Sequence, residues 1–163
     1  MEEDCYKPTT LLMNDDYGHL IPELAKWNKG DGISLGSWIS GVGRFDHALG
    51  YTAIFWPDFA LYEGCIFHTS PDPANFRDWM KSLNGDTAKV EAMMNHVHLV
   101  DLFANSQFQP SKALLLRLGQ IMKEMWTCKL AQDFPERRFE VELSTDSDDV
   151  VEFEITFFQI SNK

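Results

Sequence analysis

The sequence predicts an α+β fold, a single domain over residues 1–163 that is mainly helical, with helices packed on a small, mostly antiparallel sheet. Three observations predict it. Near the C-terminus Phe139, Val141 and Leu143 alternate with Glu140, Glu142 and Ser144. After a polar break at residues 145–149, Val151, Phe153, Ile155 and Phe157 alternate with Glu152, Glu154 and Thr156. Period-two alternation on both sides of an Asp/Ser-rich break is the pattern of a β-hairpin with one apolar face. Secondly, residues 72–134 carry repeated helix-start signals, each followed by an apolar stripe of helical period. Thirdly, residues 61–67 form a short apolar run bounded by turn residues, a buried central strand able to pair with the hairpin.

In chain order, the N-terminal residues are weakly patterned, and a turn is expected at residues 14–18, Asn-Asp-Asp-Tyr-Gly. A short helix is expected over 21–28, with Pro22 in its first turn, ending at the glycines of 29–32. Ser34 is a helix cap ahead of Leu35, Trp38, Ile39 and Val42. Phe45, Ala48, Leu49, Thr52 and Trp56 continue at helical spacing up to Pro57, although residues 51–56 also have strand composition.

Asp72-Pro73 pairs a cap with proline at the first helical position, before Phe76, Trp79, Met80 and Leu83, and Asn84-Gly85 closes that helix. Asp86 or Thr87 caps the next, whose apolar spacing through Val90, Met93, Met94, Val97 and Val100 predicts helix to about Ala104. Ser111 starts the longest helix, which carries Leu114, Leu115, Leu118, Ile121, Met122, Met125, Trp126 and Leu130 and stops before Pro135. Its apolar residues exceed one narrow stripe, so it is expected at the centre of the fold.

Composition limits the function. With 44% hydrophobic and 13% aromatic residues, the chain of 163 residues can bury an ample core. A formal charge of −11 opposes nucleic-acid binding and docking to anionic membranes, and it favours a basic protein partner. Cys5, Cys65 and Cys128 contain no CxxC pair, and the acidic Met1-Glu2-Glu3-Asp4 start resembles no signal peptide, so a reducing cytoplasm is predicted. The glycines at 36, 41, 43 and 50 fit neither a dinucleotide fingerprint nor a Walker loop, and no cofactor is predicted. No GxSxG elbow supports nucleophilic catalysis.

Two polar sets are candidate sites. His96-Val97-His98 would present both imidazoles on one face of a strand, but on a helix they stand about 160° apart and cannot share an ion. In the predicted helix, Glu91, Asn95 and His98 instead share a stripe, with Asp101 at its margin, a set that would suit a metal ligated by Glu91 and His98. The competing expectation is a hydrogen-bonded seam between packed elements. The second set is Glu140, Glu142, Glu152 and Glu154. With Leu143 across from Val151, Glu142 faces Glu152 and Glu140 faces Glu154, each pair costing about 0.2–1 kcal/mol unless something compensates. The leading expectation is therefore a non-enzymatic interaction protein, inhibitor- or immunity-like, offering these carboxylates to a basic partner, with a homodimer as another way to use the acidic edge. The alternative is a metal-binding protein or small metal-dependent enzyme.

Overall fold

The computed structural model describes residues 17–145 and 148–160. The chain divides into two compact units, Met1–Leu49 and Gly50–Lys163. Residues 14–16 of the expected turn, Cys5, and residues 146–147 of the hairpin break lie outside the described residues.

In the first unit, the expected helix over 21–28 is two short 3-10 turns, Leu24–Lys26 and Asn28–Gly30. Lys29 and Gly30 take positive φ, and this left-handed backbone stops any longer helix. Helix α1 spans Leu35–Val42 and is capped as expected, the Ser34 hydroxyl accepting from Ser37 N. Helix α2 spans Phe45–Phe55 and so runs past Leu49, the last residue of this unit, and residues 51–55 are helix rather than strand.

The second unit holds the sheets. Residues 61–67 do not form one strand pairing with the terminal hairpin. They are a hairpin of their own, β1 (Ala60–Tyr62) and β2 (Cys65–Phe67), turned by Glu63 and Gly64 at φ 50° and 82°. Helix α3, Pro73–Ser82, starts where Asp72 Oδ1 accepts from Ala74 N and Asn75 N. Helix α4, Thr87–Met94, is capped by Asp86, which accepts from Lys89 N. It ends ten residues before the expected position, Asn95 being its C-cap, and Val97–His98 form strand β3. After a 3-10 turn at Asp101–Phe103, helix α5 runs Lys112–Asp133, with Ser111 accepting from Leu114 N.

Strands β4 (Phe139–Ser144) and β5 (Glu154–Gln159) are antiparallel, and the three-stranded sheet has the order β3-β5-β4. The hairpin register differs from the sequence expectation. Asp149 Oδ1 accepts from Val151 N and winds Val150–Glu152 into a 3-10 turn, so the strand alternation resumes only beyond it. Leu143 therefore pairs with Ile155, Glu142 with Thr156, Glu140 with Phe158 and Ser144 with Glu154. No two glutamates are opposed, and the repulsion expected from that register does not arise. Glu140, Glu142 and Glu154 still share one sheet face, whereas Glu152 sits in the turn.

The opposite face is the core. Leu115, Met122, Trp126 and Leu130 of α5 pack on Val141, Phe153, Ile155 and Phe157, together with Ile66 and Leu99. Gly119 lets the helix approach closely: a Cβ there would lie 2.7 Å from Leu143 Cδ1 and 2.9 Å from Leu99 Cδ1. The indole of Trp126 is wholly buried and donates to Ile54 O at 2.8 Å. A second cluster, Cys65, Phe67, Phe76 and Val90, joins β2 to α3 and α4. Among the described residues, no helix is long and apolar enough to cross a membrane.

Candidate metal centre

Glu91 of α4 and the C-cap Asn95, one turn further on, both hydrogen-bond backbone groups. Glu91 Oε1 accepts from Ile66 N at 2.7 Å, and Oε2 accepts from Gln159 N at 2.6 Å. Asn95 Oδ1 accepts from His68 N at 2.9 Å, while Nδ2 donates to Ile66 O at 2.9 Å and to Phe157 O at 3.1 Å. Both residues are buried. They join the β2 backbone to the β5 backbone beyond the end of the two-residue β3, satisfying groups that a longer strand would otherwise pair.

The Glu91 carboxyl is pushed up from its ordinary 4.5, first by burial, against the opposing hydrogen bonds of Gln159 and Ile66 and the charge of Arg137. Nearby, burial and the Glu91 charge push the Cys65 thiol up to about 11, which keeps it an un-ionised core side chain. Of the expected pair of metal ligands, Glu91 has both oxygens hydrogen-bonded in this seam, and His98 lies in strand β3 rather than on the helix.

Because α4 stops at Met94, His98 falls in strand β3 with His96 just ahead of it, and the two rings meet on the same side. The register places Glu154 of β5 directly across from His98. His96 Nε2 lies 3.1 Å from His98 Nε2 and 3.3 Å from Glu154 Oε2, and one ligand atom from each of the three falls within 4.8 Å of the others. Both short separations are hydrogen-bonding distances between the side chains themselves, and they also equal the roughly 3.0–3.4 Å between two donors bound at about 2.0–2.1 Å to one ion. The imidazole planes cross at 73°, with centroids 4.7 Å apart. His98 is half-buried, and its Nδ1 is enclosed without a hydrogen-bond partner among the described residues.

The sequence pattern excludes this HxH pair only through the helical backbone it predicts for residues 96–98. The signal was present in the β-branched Val97 between the two histidines. The carboxylate completing the set could not be read locally, since it depends on the pairing of β3 with β5.

His68 does not join this cluster. Its ring stacks on Trp126, centroids 4.9 Å apart and planes at 29°, and Nε2 is enclosed with no partner among the described residues. Burial lowers its pKa from the ordinary 6.5. A base with a depressed folded-state pKa contributes stability above its unfolded value, and that contribution is lost as pH falls. Urea midpoints are therefore expected to drop below about pH 6.5, and His68→Leu should flatten that part of the curve; an unchanged slope in the variant would refute this role.

No family model matches the chain, and no curated protein or solved structure matches it either.

Proposed function

We propose that this protein binds a divalent transition-metal ion through His96, His98 and Glu154. The observation that carries this reading is the convergence of two imidazole nitrogens and a carboxylate oxygen within 4.8 Å on one face of a sheet. Two imidazoles with one carboxylate suit zinc, copper, nickel or iron, whereas calcium and magnesium call for all-oxygen sites. Three protein ligands leave a position open to water or another molecule. Isothermal titration of the purified chain with zinc is expected to give one equivalent, and His98→Ala should weaken it by about 100-fold or more, by analogy with the losses seen when the partners of a ligand are removed. Absence of stoichiometric uptake, or uptake indifferent to His98→Ala, would sink the proposal.

A second reading retains the acidic face as a dock for a basic protein. Glu140 and Glu142 are exposed and have no ion-pair partner among the described residues, they share their face with Glu154, and the chain carries a formal charge of −11. The plainer role of outward glutamates on β4 is to guard an edge strand against pairing with another copy. A docking role predicts salt-sensitive capture of a basic protein that disappears when Glu140, Glu142, Glu152 and Glu154 become glutamine. Capture that survives these changes would leave only the guarding role.

A further inference from the structure

A cavity of about 450 Å³ lies between the N-terminal half of α5 and the segment that leads from β3 into it. This volume falls in the roughly 300–1,000 Å³ range of small-molecule sites. The cavity reaches in to Leu99 and Leu115, both buried core residues, and is walled mainly by apolar side chains such as Phe103 and Leu118. Its depth is therefore set by the core, and its outer wall by a segment whose regular structure among residues 99–110 is one 3-10 turn. Phe108, part of that wall, is 57% exposed. A large ring left in that state gains apolar burial as soon as something apolar fills the space beside it.

The electrostatics narrow the ligand class. Asp101 is the charged residue among those lining the cavity; it is solvent-exposed, and its carboxylate has no hydrogen-bond or ion-pair partner among the described residues. An unpaired carboxylate beside an apolar hollow attracts a cation or a hydroxyl donor and repels an acid. We infer that this cavity binds a small amphipathic amine, its apolar body against Leu99, Leu115 and Phe108 and its ammonium on Asp101. The inference shares no residue with His96, His98 and Glu154, so either reading can fail without the other.

The test uses phenylbutylamine and phenylbutyrate, which present one apolar skeleton with opposite charges. In titrations of the full chain followed by amide resonances, the amine is expected to shift residues 99–118 saturably. It should bind at least about five-fold more tightly than the acid, the preference expected of one charge-assisted contact. Asp101→Asn should remove that preference while both probes still bind. Ala104→Phe, at an exposed position lining the cavity, should fill the space and abolish the binding of both with the spectrum otherwise native. Equal affinity for amine and acid, a preference that survives Asp101→Asn, or shifts scattered away from residues 99–118 would each overturn the inference.

Discussion

Replacing Glu91 with alanine is expected to destabilise the fold by about 3 kcal/mol, the net of two opposing effects. Truncation leaves the N–H groups of Ile66 and Gln159 without their acceptor, each costing about 1–3 kcal/mol when buried. It also frees the Gln159 amide and leaves Arg137 facing no carboxylate. Against this, a buried charge is removed, and the raised Glu91 pKa shows that burial opposes ionisation. The loss of two acceptors outweighs that relief, because the carboxylate joins two sheet backbones and water has no ready access to replace it.

Glu91→Gln separates the two effects, since it keeps the volume and one acceptor but points an amide N–H at a backbone donor. An acid whose folded pKa is raised adds stability that is fully present below the unfolded value of 4.5 and is lost as pH rises through the folded value. Wild-type stability relative to Glu91→Gln should therefore decline from about pH 4.5 upwards, and subtracting the two curves cancels the opposite slope from His68. Urea melts between pH 4 and 8 measure both. If Glu91→Ala costs under about 1 kcal/mol, the seam is not what joins the β2 and β5 backbones.

The helix starts at Ser34, Asp72, Asp86 and Ser111 were legible because each is fixed by a side-chain oxygen and a backbone N–H two or three residues on. Strands β4 and β5 were legible because burying one face imposes alternation on the residues themselves. The end of α4 was not. Val97, Val100 and Ala104 fit the helical period equally well, and what ends the helix at Asn95 is its use by the backbones of Ile66, His68 and Phe157, far away in sequence. The hairpin register was missed for a related reason. Val151 continues the alternation of β5 by composition, yet the Asp149 cap winds it into a 3-10 turn. Both errors bear on the candidate site, since one hid the shared face of His96 and His98 and the other assigned Glu154 the wrong neighbours.

Zinc at a hundred times its dissociation constant is expected to raise stability by about 2.7 kcal/mol, because the site exists only when β3 is paired with β5. His98 and Glu154 are register partners in the folded sheet, and the unfolded chain cannot hold them together as it holds the neighbouring His96 and His98. At about 2–4 °C per kcal/mol for a chain of this size, the melting temperature should rise by about 5–10 °C and return on adding a chelator. Glu154→Gln is the sharper control: it leaves the HxH pair intact, so residual zinc binding can persist, but the link between strands is weakened and most of the shift should vanish. His47→Ala, at a histidine on α2 outside the cluster, should keep the full shift. A zinc-induced shift that His47→Ala removes and Glu154→Gln spares would place the ion elsewhere on the chain, and the β3–β5 site would have to be abandoned.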